Sequence, residues 1–292
     1  MPTRAAARFR PLSIPSDCCR NLTEASCGRE AVIPAWSIAT STGCYITFRL
    51  KVADLILAYT ADVHDGVATF NEEETRHVLK VRRKTTGDVI DWIDGRGGRY
   101  RGPILSTGKR QFTAAVEHES HTPARKPYRL TLGVAPTKNN ARLEWLLEKA
   151  TEIGIDAVVL LACARSERAR VRVDRLEKIL LSAAKQSLKA HLPVLQPPVT
   201  LPAYLASLPV MQPHEQRLIA HCGPGAKQAL PGNFAAPPDV CILIGPEGDF
   251  TSEEIDLAAA QGFTGLTLGT ERLRTETAAL VAVTLANFAL NR

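Results

Sequence analysis

Apolar positions along this chain change their rhythm near residue 125. From Leu55 to about Ala124 they come in short runs closed by turns. These are Leu55-Ile56-Leu57-Ala58-Tyr59, then Asp88-Val89-Ile90-Asp91-Trp92-Ile93 before the turn Asp94-Gly95, a run through Tyr100, and Phe112-Thr113-Ala114-Ala115-Val116. Such runs predict short β-strands. Between them Asn71 precedes Glu72, Glu73 and Glu74, an N-cap followed by first-turn acids, which predicts a helix through Leu79. Short strands with one helix imply a small β-barrel-like module over residues 55–124.

Beyond the linker marked by Pro123 and Pro127, apolar strands alternate with helical periods. Tyr128 to Val134 predicts a strand. Leu143, Leu146, Leu147 and Ala150 form the stripe of a helix from Ala141 to Glu152, stopped by Gly154. Ala157 to Leu161 is a second buried strand, and Asp174 caps a long helix expected to reach about Lys189, before Pro193. Within that helix Gln186 falls near the stripe of Leu176, Ile179, Leu180, Ala183 and Ala184, so its amide should need a partner, either a loop or a substrate. A short helix near Ala203 and a strand at Leu218-Ile219-Ala220 come next. The alternation predicts an α/β domain over residues 128–292, with a parallel sheet covered on both faces.

The last fifth of the chain adds two strand-to-corner units. Cys241-Ile242-Leu243-Ile244 runs into Gly245-Pro246-Glu247-Gly248-Asp249-Phe250, and a second unit runs through Leu268-Gly269-Thr270-Glu271-Arg272-Leu273-Arg274-Thr275-Glu276-Thr277-Ala278. Without Cβ atoms, Gly245, Gly248 and Gly269 let the backbone approach a flat ring or a carboxylate. Open α/β sheets bind ligands beyond the carboxyl ends of their strands, so the two corners predict a pocket. The final helix, Ala278 to Leu290, is apolar nearly all round and needs cover on several sides, which predicts a two-fold homodimer.

Charge and cysteine content narrow the setting. The 292 residues carry a net charge of +6, and no apolar run reaches the length of a membrane span. The basic side chains cluster: His77, Lys80, Arg82, Arg83 and Lys84 come after the first helix, with Arg96, Arg99, Arg101, Lys109 and Arg110 on later strands and turns. Together they could hold phosphates, a grip that carries no sequence choice. The seven Cys have no metal-ligand spacing and read as reduced thiols of a cytoplasmic protein. Residues 1–50 are Arg-rich and acid-poor without durable periodicity. An organellar transit peptide has that composition, but a disordered extension or an upstream stretch included by an early start assignment is the preferred reading.

The ordered motifs carry a family resemblance. The runs Ile244 to Phe250, Leu268-Gly269 and Leu273 to Ala278 resemble the carboxy-terminal signature of RsmE-type enzymes of the SPOUT superfamily. Those enzymes methylate N3 of one uridine in bacterial small-subunit ribosomal RNA. Lys149 to Gly154, Arg165-Ser166-Glu167-Arg168 and Ala184 to Lys189 match it as well, and Tyr59 to Asp62, His77 to Arg82 and Gly87-Asp88 are similar to the family's PUA-like RNA-binding domain. The resemblance spans about Leu55 to Leu290. It implies a trefoil-knotted parallel sheet preceded by a small PUA-like barrel, with S-adenosylmethionine held in the knot. By the same resemblance Ile244, Gly245, Pro246, Glu247, Gly248, Leu268, Gly269, Leu273, Arg274 and Thr275 would bind the cofactor, near a dimer interface. RNA, free or within the 30S particle, would meet His77, Lys80, Arg82, Arg83, Lys84 and Gln186.

Three positions depart from the family pattern. Glu271 and Arg272 stand where Arg and an aliphatic residue are usual, and Asp249 replaces a frequent Gly. Methyl transfer to a uracil nitrogen needs proximity, loss of the imide proton and stabilisation of the resulting anion. Arg165 and Arg274 are the candidates for orienting phosphate or uracil oxygens, and Glu276 or Glu247 for accepting the proton, with a helix-end role equally open for Glu276. Two rival functions are a non-catalytic RNA-binding assembly factor and a nucleotide-dependent Rossmann enzyme. The second lacks both the Gly-x-Gly-x-x-Gly turn and a Gly-x-x-x-x-Gly-Lys-Ser/Thr loop.

Overall fold

A computed structural model describes residues 57–122, 126–167, 171–230 and 238–291. The amino-terminal 50 residues, and with them the expectation of an extension, lie outside the described residues, as do Leu55 and Ile56. The described chain belongs to a compact unit running from residue 51 to 292.

Its first part is a curled sheet of β1 (Leu57–Tyr59), β2 (Val63–His64), β3 (Val67–Phe70), β4 (Val89–Ile93), β5 (Gly98–Thr107), β6 (Phe112–Ala115) and β7 (His118–His121). The hydrogen-bonded order is β1-β4-β5-β6-β3-β2, with β7 also on β5. The long β5 joins the two halves, pairing β4 and β7 along its first residues and β6 from Ile104 onward, across a bulge between Ile104 and Ser106. A bulge bends a strand and raises its twist, which is how one strand serves both halves. Phe70, Trp92 and Phe112 are fully buried inside, Phe70 stacked on Phe112 at 4.2 Å. Helix α1 (Glu72–Thr75) continues as π-helical turns over Arg76–Val81, and the Asn71 side chain caps it by accepting from the Glu74 N–H at 3.0 Å.

The second part is a parallel sheet. Its strands are β8 (Leu130–Val134), β9 (Ala157–Ala162), β10 (Val194–Thr200), β11 (Glu215–Ala220), β12 (Lys227–Gln228), β13 (Asp239–Ile244) and β14 (Thr264–Leu266), in the order β10-β9-β8-β13-β11-β14-β12. Alternate residues feed two cores. Val158 and Leu160 of β9 meet helices α2 (Asn140–Ile153), α3 (Val173–Gln186) and α6 (Thr275–Leu290), while Val159 and Leu161 meet α4 (Leu201–Ser207) and α5 (Ser252–Ala260). The expected two-sided cover is present.

The strand order places the corners. From β8 the chain steps outward to β9 and β10, crosses to β11, and only then fills the slot beside β8 with β13. β12, part of the connection between β11 and β13, lies beyond β14, so β14 sits between two stretches of earlier chain. This order is in keeping with the knotted topology expected from the resemblance.

Three expectations are corrected. The long helix is N-capped by Arg172 rather than Asp174 and ends at Gln186, short of Lys189, because Leu188 turns into the left-handed region at φ 56°. Gln186, as the last helical residue, is exposed rather than near the buried stripe. The final helix begins at Thr275, one turn before Ala278, with Glu276 in its first turn.

The two sheets are joined by polar and apolar contacts. Lys185 of α3 meets Glu74 of α1 at 2.5 Å, with side chains 18% and 5% exposed, and Lys178 meets Glu73 at 3.3 Å. Arg99 donates to the Leu188 carbonyl, and Gly97 N–H to the Ala190 carbonyl at 3.0 Å. Arg99 is thereby committed to the junction and leaves the expected basic patch.

Candidate active site

The site is built from the two corners that end β13 and β14. These strands flank β11, so their carboxyl ends stand two strand spacings apart, roughly 10 Å. Even so, the Thr275 hydroxyl donates to the Gly245 carbonyl at 3.2 Å in a buried contact. The segment from Thr267 to Arg274 therefore crosses the end of β11 and brings the second corner onto the first. The two corners expected to form a pocket are adjacent.

The first corner is braced on three sides. Arg165, in the loop after β9, donates through Nη1 to the Gly248 carbonyl at 3.1 Å and to that of Phe250 at 3.5 Å. Glu254 is 5% exposed, closes a capping box with Thr251 and accepts from the Ala164 N–H at 2.8 Å. Asp249 has φ 63°, in the left-handed region where glycine is at ease and Asp is among the better tolerated side-chain residues. Its carboxylate accepts from its neighbour Phe250 N–H and from Cys222 N–H, both at 2.8 Å. That second bond ties the corner to the end of β11, a physical reason why Asp can stand where glycine is frequent.

The glycines divide in their roles. A Cβ on Gly245 would lie 3.0 Å from Phe250 Cδ2, so a side chain here would press on the Phe250 ring packed inside the corner. Gly248 meets Arg165 Cβ at 3.2 Å in the same sense. Gly269 differs: its φ is +115° and nothing lies within 4 Å of its Cβ position, so the second corner presents open backbone. Ile244 and Thr275 are buried, Pro246, Leu268 and Leu273 half-buried, and Glu247, Gly248, Gly269 and Arg274 exposed. The residues at hand thus offer backbone, a few apolar walls and an open side, which fits an adenosine-bearing ligand.

Charge enters from α2. Arg142, in its first turn, lies 3.7 Å from Glu247 Oε1 and 3.6 Å from Glu276 Oε1. Glu276 is 7% exposed, and its Oε2 has no hydrogen-bond partner among the described residues. Sequence reasoning missed Arg142, because the spacing from α2 to either corner is too long to register as a motif. At the end of β11, His221 is held below the ordinary imidazole range, chiefly by burial and then by the charge of Lys227.

The basic residues expected to meet RNA lie on and after the first helix, not on the corners. Lys80, Arg82 and Arg83 are exposed on the π-helical turns and the bend after them, Arg83 at φ 55°, while His77 and Lys84 are half-buried. Burial is the main cause that lowers the His77 pKa, followed by the nearby Lys185 charge. Gln186 is exposed at the end of α3, the helix that Lys178 and Lys185 tie to α1.

The profile of the RNA methyltransferase domain family matches residues 124–287, and that of the RNA methyltransferase PUA domain matches residues 70–117. The first match covers more than half of the chain. The chain belongs to the RNA methyltransferase domain family. A crystal structure of a probable rRNA-methyltransferase from Porphyromonas gingivalis is 37% identical, covers 81% of this chain and 99% of its own, and superposes with a TM-score of 0.72. Ribosomal RNA small subunit methyltransferase E from Neisseria gonorrhoeae, bound to S-adenosyl methionine, is 26% identical with a TM-score of 0.66, covering 78% of this chain and 95% of its own. The Rickettsia conorii protein of the same name is 26% identical over 218 residues, 73% of this chain and 86% of that one. By these matches the curled sheet carries the PUA domain and the parallel sheet the RNA methyltransferase domain.

Proposed function

We propose that this protein is an S-adenosylmethionine-dependent methyltransferase acting on N3 of a uridine in small-subunit ribosomal RNA. The observation that carries the reading is the buried bond from Thr275 to Gly245, which brings the two corners together in a chain of this family. The division into a PUA-like domain over residues 55–124 and a methyltransferase domain over residues 128–292 belongs to the same reading.

The cofactor would be held by the backbone of Gly245 to Gly248 and of Leu268 and Gly269, with Ile244, Leu268 and Leu273 as apolar walls and Thr275 fixing the gap. When bound, S-adenosylmethionine supplies an electrophilic methyl group on a sulfonium. The chain's own contribution is to bring uracil N3 into line and to handle its proton. As the imide proton leaves, negative charge spreads over the ring oxygens, and the amino end of α6, a 16-residue helix, offers it a positive dipole beside exposed Arg274. Arg165 holds the first corner in shape through two carbonyls, so its role is to position that corner. Of the two carboxylates, Glu247 is open to solvent while Glu276 is buried against Arg142. Glu247 is therefore the better placed to meet a proton from RNA.

Lys80, Arg82, Arg83 and Lys84, with His77 and Gln186, form the face for the phosphate backbone. A homodimer is part of this proposal. Trp145 on α2 and Leu285 on α6 are each 43% exposed in the single chain although both are large and apolar, and these two helices pack together. Titration calorimetry with S-adenosylmethionine tests the pocket, and mass mapping of rRNA nucleosides from a strain lacking the protein tests the substrate. Retention of every small-subunit methyl mark in that strain would remove the assignment.

A further inference from the structure

The carboxylates of Glu247 and Glu276 belong to different corners, and Arg142 lies between them. Its Nη1 is 3.7 Å from Glu247 Oε1 and its Nε is 3.6 Å from Glu276 Oε1, just past hydrogen-bonding distance. The two legs differ in environment. The Glu247 side chain is 52% exposed, so solvent screens that leg, whereas the Glu276 side chain is 9% exposed with Oε2 unpartnered among the described residues. A buried carboxylate with one free oxygen needs its counter-charge held close. The side chain that supplies it starts in the first turn of α2, whose N-cap Asn139 accepts from the Ala141 N–H at 2.9 Å and so fixes where the helix begins.

We propose that Arg142 is a positioning residue which, through Glu276, sets the spacing between the two corners and hence the affinity for the methyl donor. The inference rests on the cofactor reading above. Corner two is fastened to corner one by the buried hydrogen bond from Thr275, the residue next to Glu276. Loss of the guanidinium weakens the compensation of the Glu276 carboxylate beside that bond, leaving it the partial positive charge of the α6 amino end. The carboxylate is then expected to turn toward water, rotating the first turn of α6 and moving Thr275 and Arg274 with it. The planar fork matters because Arg142 reaches the two carboxylates through different nitrogens, Nη1 and Nε, a spread that the single nitrogen of an ammonium does not have.

Full-length parent, Arg142→Gln, Arg142→Lys and the double variant Arg142→Gln/Glu276→Gln are titrated with S-adenosylmethionine by calorimetry. Arg175→Gln, which breaks a different α2–α3 ion pair to Glu144, is the control and keeps parental cofactor affinity. Arg142→Gln should weaken binding by about tenfold or more, because it strands a buried charge. Arg142→Lys should fall between the two, and the double variant should recover part of the loss. In turnover assays Arg142→Gln should raise KM for the methyl donor while kcat at saturation stays within about threefold, the sign of lost binding that is uniform through the reaction. Parental affinity in Arg142→Gln, or a double variant no better than the single, would overturn the proposal. If Arg142→Gln does not fold, Arg142→Lys and the double variant decide on the same criteria. Failure of the parent itself to bind S-adenosylmethionine would instead overturn the cofactor reading on which the inference stands.

Discussion

Thr275 offers a clean perturbation because its two functions can be removed one at a time. Its hydroxyl donates to Gly245 O at 3.2 Å, and the residue is 6% exposed. Thr275→Val keeps the shape and deletes the donor, leaving the buried carbonyl short of a partner at a cost of about 1–3 kcal/mol. Thr275→Ser keeps the donor and deletes one methyl group, a loss of about 1 kcal/mol. In a chain of this size each kcal/mol lowers Tm by roughly 2–4 °C, so both variants should melt a few degrees early. Stability alone does not separate them, but cofactor affinity does. If the bond holds the corners at the right gap, the Val variant should lose about tenfold in S-adenosylmethionine affinity for each 1.4 kcal/mol that binding must spend on re-closing it. The Ser variant should bind like the parent. Calorimetric titration of the three proteins at one temperature is the assay, with thermal melts alongside. Equal affinity in the Val and parent proteins would show that the corners keep their spacing without this bond, and the argument for one pocket would fall.

Three further outcomes are expected from the structure. Lys185→Met should destabilise the chain by about 3 kcal/mol in urea unfolding, because it strands the buried Glu74 carboxylate, and adding Glu74→Gln should restore most of the loss. A double variant as unstable as the single would contradict this. His77 and His221 are both held below the ordinary value of 6.5, each chiefly by burial, so the unfolded chain binds more protons than the folded one as pH falls through that value. Their contribution favours folding above that pH, declines as pH falls below it, and levels off once the folded rings protonate. Tm should therefore drop between about pH 7 and about pH 5.5, and less steeply in a His77→Gln/His221→Gln variant; identical slopes would exclude both rings. Charge reversal at Arg82 and Arg83 should weaken RNA binding and flatten its salt dependence by about one unit of slope for each phosphate no longer engaged, with cofactor affinity unchanged. An unaltered slope would take these residues off the RNA face.

Much of this architecture was legible from local pattern. The stripe Leu143, Leu146, Leu147 and Ala150 is buried in α2, Gly154 ends that helix at φ 120°, and Asn71 caps α1 as its side chain and the acids after it require. Those outcomes are set within a few residues of sequence, where helical period and capping chemistry act. β10 was not legible, because Pro197 and Pro198 argue against a strand. It survives as an edge strand with a register shift between Gln196 and Val199, one place where missing N–H donors are tolerated. That the Phe250 ring lies against Gly245 was not legible, since only the folded corner brings the two together. Similarly, Gln186 lost its expected burial when the left-handed turn at Leu188 ended the helix early.

The sequence by itself determined that two glycine-bearing corners end two buried strands, and that a basic module precedes them. Only the tertiary structure decided that β13 lies beside β8 while β14 lies beyond β11, which carries the second corner across the sheet to Gly245. It alone placed Arg142 between Glu247 and Glu276. The reason is range: strand and helix signals act over one or two turns of chain, whereas an ion pair across more than a hundred residues exists only once the sheet has fixed which strand ends are neighbours.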